Sequence, residues 1–301
     1  MDKLTRTPAV ITIGNFDGMH RGHVKVVATA LELARMQECR CAAVTFTASP
    51  LSVLRPTMYA GSIITETDKE MLLHEMGIAD IVALEPIPDI LGQSPTEFLQ
   101  CLQERYEVRG IVVGENFSFG ADAVGGSADL YRFGRIYGVK VIVVPLLRDE
   151  ENNVISSTHI RHALAAGKME AVTRWLGRYW RVTGTVLHGD ARGRMLGYPT
   201  TNLDAPADRV LPPDGVYATW VTYQGERYAA ATNIGTNPTF SGRQRRIESH
   251  LLDMHADMYG ADICVDFAAY IRPQITFADV DALKHQLAID TSTVRCRLKG
   301  I

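Results

Sequence analysis

Two kinds of hydrophobic spacing alternate through the first half of the chain. Residues 9–14 (AVITIG) are a short apolar, β-branched run that ends in glycine. Residues 23–36 follow with Val24, Val27, Ala28, Leu31 and Ala34 at helical spacing. Residues 41–46 (CAAVTF) and 78–84 read as buried strands, separated by a helix over 66–76 that stops at Gly77. Ser94-Pro95-Thr96-Glu97 is a capping box with proline at the first helical position, and it opens a helix to about residue 106. A strand over 110–114, a helix over 127–137 and a strand over 139–145 complete the series. This order predicts a parallel sheet with helices on its faces, in which ligands sit beyond the carboxyl ends of the strands.

After two short helices, over 157–166 and 169–176, the pattern changes. From Trp180 onward strand signals follow one another with few helices between them. Residues 216–223 and 228–233 flank a Gln-Gly-Glu turn, a hairpin signal. Residues 263–271 alternate, which puts Ile263, Val265, Phe267, Ala269 and Ile271 on one side and Asp266 and Tyr270 on the other. A last helix is expected over 280–288. Short antiparallel strands with a terminal helix suggest a small closed barrel. The expected organisation is therefore α/β, a parallel-sheet domain over 1–179 followed by a barrel domain over 180–301.

Composition narrows the function classes. A length of 301 residues fits two domains at roughly 150 each. Lys and Arg total 31 against 34 Asp and Glu, a net charge of −3, so no global field is present to hold nucleic acid or an anionic membrane, and any anion site must be local. Five cysteines form no CxxC pair and read as reduced thiols of a cytoplasmic protein rather than a disulfide framework or zinc site. No apolar run approaches the roughly 18 residues of a membrane span, and the first residues lack an apolar signal core. No nucleic-acid or membrane partner is expected, and oligomeric state is not legible. Trp175, Trp180 and Trp220 read as packing residues. Arg243, Arg245 and Arg246 read as a solvated loop, with guarding of a ligand site as the alternative.

The densest chemistry lies in residues 14–23, GNFDGMHRGH, between the first strand and the first helix. Glycines allow close backbone approach, and a helix N-terminus offers free N–H groups suited to phosphate. His20 and His23 are three apart and can share a helical face, where imidazoles could donate to phosphate oxygens. A glycine-rich turn with two solvated histidines is the plainer alternative. Ser156, Ser157 and Thr158 open a later helix, with Arg161 one turn in. Together they form a polyphosphate cradle or, more plainly, a capped helix start. In the second half, Gly189, Arg192 and Gly193 could line a phosphate loop. Thr200 and Asn202 alternate onto one side with hard oxygen ligands suited to Mg²⁺. Glu248, in RIESHLLD, is placed to accept a hydroxyl proton.

The HxGH pattern at His20–His23 with SSTxIR at 156–161 resembles the nucleotidylyltransferase superfamily. More narrowly, TIGNFDGMHRGH, GENFSFG at 114–120 and ISSTHIR resemble the bacterial bifunctional riboflavin kinase/FMN adenylyltransferases, the FAD synthetases. RGRMLGYPTTN, PPDGVYA, NIGTNPTF and ESHLLD are similar to that family's kinase half, in its order. The resemblance implies a Rossmann-like nucleotidylyltransferase domain and a six-stranded riboflavin kinase barrel. It implies ATP, riboflavin, FMN and FAD as substrates and products, with Mg²⁺. His20 and His23 would stabilise the reacting phosphorus and leaving group, and Ser156, Ser157, Thr158 and Arg161 would hold ATP phosphates. Gly14, Phe16, Asp17, Gly22 and Asn116 would belong to the same pocket. Thr200 and Asn202 would hold Mg-ATP, and Glu248 would act on the riboflavin 5′-hydroxyl.

Three departures stand out. The family's acidic residue, proline, histidine and proline after the second strand are replaced by Thr47-Ala48-Ser49-Pro50. Thr201 replaces an alanine, on the face away from the expected metal. Within residues 272–277, RPQITF, a glutamate is missing. Alternative readings are a riboflavin kinase whose first half is degenerate or takes another nucleotide or flavin, and a flavin-binding regulator without turnover.

Overall fold

A computed structural model describes residues 6–187, 198–239, 242–254 and 256–299. The chain divides into two compact units, Met1–His159 and Ile160–Ile301.

The first unit alternates strands and helices: β1 (Thr7–Ile13), α1 (Arg21–Met36), β2 (Arg40–Phe46), α2 (Pro50–Leu54), α3 (Glu66–Glu75), β3 (Asp80–Leu84), α4 (Pro88–Leu91), α5 (Pro95–Arg105), β4 (Tyr106–Gly114), α6 (Ser127–Tyr137) and β5 (Lys140–Val144). All strand pairs are parallel, in the order β3-β2-β1-β4-β5. The chain winds outward from β1 to β3 and then returns to add β4 on the other side of β1. The carboxyl ends of β1 and β4 therefore flank the switch point, where such sheets open a crevice.

Local sequence explains the elements. Ser94 and Glu97 exchange capping hydrogen bonds at the start of α5, with Pro95 in its first turn. One face of the sheet buries Ile11, Ile13, Val44, Ile111 and Val113 against Leu99 and Leu102 of α5 and Leu130 and Phe133 of α6. Each such side chain contributes about 1.5–3 kcal/mol when fully buried. On α1 the buried stripe is Val26, Val27, Ala30, Leu33 and Ala34. This corrects the expected stripe: Val24 and Ala28 are exposed. The stripe is rotated because it extends back through position 23, a histidine, which hydrophobic periodicity does not count. Leu33 presses against Gly110 of β4, where a Cβ would come within 2.7 Å of its Cδ2.

Helices α7 (Ser157–Ala165) and α8 (Met169–Leu176) lead into the second unit's strands. These are β6 (Trp180–Thr185), β7 (Thr201–Asp204), β8 (Gly215–Tyr223), β9 (Glu226–Thr239), β10 (Gly242–Leu251) and β11 (Asp262–Pro273), followed by α9 (Val280–Lys299). Every pairing is antiparallel, in the order β6-β11-β8-β9-β10-β7. Leu187, just past β6, bridges Asn202 of β7 with an N–H to O distance of 2.8 Å and closes the six-stranded barrel. Arg245 and Arg246, expected on a solvated loop, lie on β10.

The interior face carries Trp180, Val182, Leu203, Ile234, Ile247 and Phe267, all buried. A chain of buried hydroxyls crosses four strands among them. Thr219 meets Thr232 at 2.6 Å, Thr232 meets Ser249 at 2.8 Å, and Thr201 donates to the Ser249 carbonyl at 3.3 Å. Each hydroxyl is satisfied, which is what such burial requires. The departure at Thr201 thus has a partner that alanine would lack.

In β11 the strict alternation fails. The register shifts between Phe267 and Ala269, and again between Tyr270 and Arg272. These bulges put Ala268 and Ala269 into the cluster under Val294 and Leu298 of α9, and bring Tyr270 edge-on to Tyr217, which also meets Phe267. The expected partition of Ala269 with Phe267 and Tyr270 with Asp266 is corrected accordingly. Among the described residues no helix is long and apolar enough to cross a membrane.

Candidate functional site

The loop after β1 is buried and tightly wound. Phe16, Gly18 and Met19 all have positive φ, at 50°, 83° and 38°, and Phe16 and Met19 are each 1% exposed. Non-glycine residues in that region cost energy and persist where surroundings hold them. Asp17 does the holding: its Oδ1 accepts from the backbone N–H of Ile63 at 2.9 Å and of Ile64 at 3.4 Å. Its carbonyl accepts from the Ser157 hydroxyl at 2.8 Å, which joins this loop to the start of α7.

Beyond the carboxyl ends of β1, β4 and β5 lies a cavity of about 380 Å³. Gly14, Phe16, His20, Gly22, His23, Asn116, Ser156, Ser157 and Thr158 line it. It opens at the switch point and takes in the first turns of both α1 and α7, whose dipole ends favour an anion. His20 caps α1, its Nδ1 accepting from the His23 backbone N–H at 3.3 Å. The two imidazoles stack at 3.7 Å with an interplanar angle of 18°. Nδ1 of His23 is buried with no hydrogen-bond partner among the described residues. Burial, and secondarily the neighbouring His20, hold the His23 imidazole well below the usual histidine range. Gly22 keeps this approach close: a Cβ would sit 3.0 Å from the His20 ring, which would have to shift.

Two sequence expectations change in detail. Asp17 is not on the cavity wall; its carboxylate supports the strained loop from behind. Of the α7 hydroxyls, Ser156 accepts from the His159 N–H at 3.4 Å as a cap, and Ser157 binds the Asp17 carbonyl. Arg161 stands one turn further along α7, half-buried. Thr47 and Ser49, which replace the family's acidic and histidine residues, do not line the cavity, although Phe46 and Pro50 do. Thr47 bonds the Leu84 carbonyl through its N–H at 2.9 Å and its hydroxyl at 3.4 Å, and Ser49 precedes α2 as its N-cap residue. Sequence reasoning missed Lys69, buried beneath this segment with its Nζ donating to the Phe46 carbonyl. A lysine inside a helix with little apolar periodicity gave no signal.

The second constellation is on the outer face of the barrel. Glu248 of β10 lies directly opposite Asn202 of β7 and Asn233 of β9. Directly opposed residues share a face, so the carboxylate and both amides form one row. Asn202 is buried and Glu248 half-buried. His250, two positions from Glu248, meets the Pro199 carbonyl at 2.9 Å, and its ring meets Tyr198 at 5.1 Å. It anchors the stretch that carries Thr200, a role the sequence did not reveal. Gln274, at the missing glutamate, donates to Asn233 Oδ1 and to the Ile234 carbonyl, each at 3.3 Å. Gly189, Arg192 and Gly193 lie outside the described residues. Among the described residues no cluster of three His, Cys, Asp or Glu could hold a metal. Thr200 precedes β7, and its hard oxygen and that of Asn202 fit a divalent cation that takes its remaining ligands from phosphate and water.

Both halves of the chain resemble known proteins. Residues 2–159 match the FAD synthetase family and residues 176–298 the riboflavin kinase family. A bifunctional riboflavin kinase/FMN adenylyltransferase of Escherichia coli K12 is 34% identical over 95% of this chain and 91% of its own. The one from Listeria monocytogenes is 30% identical over 98% of this chain and 94% of its own. A crystal structure from Streptococcus pneumoniae, described as a macrolide-efflux protein, has a TM-score of 0.89 at 32% identity, covering 97% of this chain and 95% of that one. With both halves matched in order and nearly the whole length covered, the chain belongs to the bifunctional riboflavin kinase/FMN adenylyltransferase family.

Proposed function

We propose that the barrel phosphorylates riboflavin to FMN and that the parallel-sheet unit adenylylates FMN to FAD, each step consuming ATP. Convergence carries the reading: His20, Gly22 and His23 and residues 156–158, far apart in the chain, line one cavity at the switch point. In the barrel, Asn202 and Glu248 meet across β7 and β10 in the same way.

In the first unit His20, His23 and the first turns of α1 and α7 bind phosphate oxygens and stabilise charge as pyrophosphate leaves, while Ser156, Thr158 and Asn116 position the triphosphate. Gly14, Phe16 and Gly22 shape the wall. In the barrel Glu248 takes the proton of the riboflavin 5′-hydroxyl as that oxygen attacks the γ-phosphorus. Mg²⁺, held by Thr200 and Asn202, would supply charge neutralisation to the ATP phosphates. The described cysteines are free thiols, which suits the cytoplasm.

Glu248→Gln is the decisive variant. It should abolish FMN formation from riboflavin while conversion of supplied FMN to FAD continues, both followed by chromatography of flavins. Loss of both steps in a folded protein would refute the two-site assignment. A second reading has support from Thr47, whose hydroxyl is committed to Leu84 where the family has an acid: a kinase with an impaired transferase would yield FMN alone in the same assay.

A further inference from the structure

We propose that Arg246 holds the phosphoryl group in flight during riboflavin phosphorylation, and that its guanidinium is a positioning element of this chain's kinase site. The inference rests on the assignment of Glu248 as the base.

Arg246 and Glu248 are two apart on β10, so they share a face, with side-chain origins about 7 Å apart. Arg246 lies opposite Asp204 on β7 and Gly235 on β9, one step along from the Asn202–Glu248–Asn233 row. Gly235 offers no side chain to cover it, and the Gln274 amide crosses there instead: a Cβ at 235 would lie 2.0 Å from Gln274 Nε2. Arg246 is half-buried, and its Nε is buried with no hydrogen-bond partner among the described residues. No ion pair joins it to Asp204, although the two are directly opposed.

Arg209 also has an Nε without a hydrogen-bond partner among the described residues, but its Nη2 donates to the Arg181 carbonyl at 2.7 Å, and other arginines of the barrel pair with acids. Arg181 clasps Asp266, Arg245 clasps Asp214, Arg272 clasps Asp290 and Arg295 clasps Asp253. Arg246 keeps its donor fork uncommitted in a polar row that already holds the base. A guanidinium matches two phosphoryl oxygens at once, and charge in phosphoryl transfer spreads over the three equatorial oxygens. The bond from the riboflavin oxygen to the γ-phosphorus forms as the bond to the bridging oxygen breaks. The electron pair leaves with ADP, and the hydroxyl proton passes to Glu248. Arg246 would contact the phosphoryl oxygens throughout and stay with them on the product.

The test uses the full chain with riboflavin and Mg-ATP. Arg246→Gln should lower kcat for FMN formation by about 10²-fold, the usual effect of removing one preorganised donor. KM for riboflavin should stay within about twofold, product inhibition by FMN against riboflavin should weaken about tenfold, and Arg246→Lys should recover part of kcat as a point charge without the fork. Conversion of supplied FMN to FAD monitors the integrity of the preparation. An unchanged kcat, or kcat, KM and thermal midpoint all worsening together, would overturn the proposal. If Glu248→Gln keeps its FMN-forming activity, the site assignment itself fails, whatever Arg246 does.

Discussion

At His23 the fold keeps an imidazole where a proton is unwelcome. Nδ1 is sealed from solvent, and the His20 ring stacks on the His23 ring with centroids 3.7 Å apart. Because burial and the neighbour lower its affinity for a proton, the unfolded chain binds that proton first as pH drops below about 6.5. This group's contribution to folding is therefore complete above that value and is lost progressively below it. Urea midpoints measured from pH 7.5 down to 5.5 should fall, and His23→Gln should flatten part of that fall; an unaltered slope in the variant would assign it elsewhere. His20 has a fixed polarity of its own, since an Nδ1 that accepts the His23 N–H leaves the proton of the neutral ring on Nε2. The spacing of these histidines was legible in the sequence only as a shared helical face, and the stacked rings have that placement. Asp17 was not. An acid inside a glycine-rich loop reads as a ligand, and its bonds to Ile63 and Ile64 connect segments that no local pattern links.

Among the helices, the charge of the first turn separates two kinds. α3, α4, α5, α6, α8 and α9 each carry an acidic residue there, which satisfies the positive end of the dipole. α1, α2 and α7 carry none, and residues at the starts of all three line the cavity. The missing acids were visible in the sequence, though their meaning needed the cavity. The long last helix was the opposite case. It runs to Lys299, well past the expected end at 288. Its second half buries Asp290, Val294 and Leu298, and an aspartate at the head of the stripe hid the period. Asp290 takes both forks of Arg272, at 2.9 and 2.6 Å, and also accepts from Gln286. Asp290→Ala should therefore destabilise the barrel by about 3–5 kcal/mol, because Arg272 would be left half-hidden and uncompensated. Pairing it with Arg272→Met should return much of that loss in denaturant unfolding; full additivity of the two changes would show that the ion pair is not coupled. The bulges of β11 were equally hidden, since a strand that slips twice keeps its composition while exchanging its faces.

For the whole molecule, a net charge of −3 means that each triphosphate must be neutralised by the groups around it. Two self-contained centres should then work in separate chains. A mixture of Glu248→Gln and His20→Ala proteins should convert riboflavin to FAD, with FMN passing through solution, although neither variant does so alone. A mixture that accumulates FMN without FAD would show that the product must be handed over within one chain. The division into a wound parallel sheet and an antiparallel barrel was readable from the change in hydrophobic period near Trp180. The closing contact of the barrel was not, because it joins Leu187 and Asn202 across a stretch with no strand signal. Asn202 uses its backbone to fasten that clasp while its amide stands in the row with Glu248. Ribbon ends that have not yet met hold no half-built kinase, so phosphotransfer should arise at the moment the cylinder snaps shut and vanish as soon as it springs open.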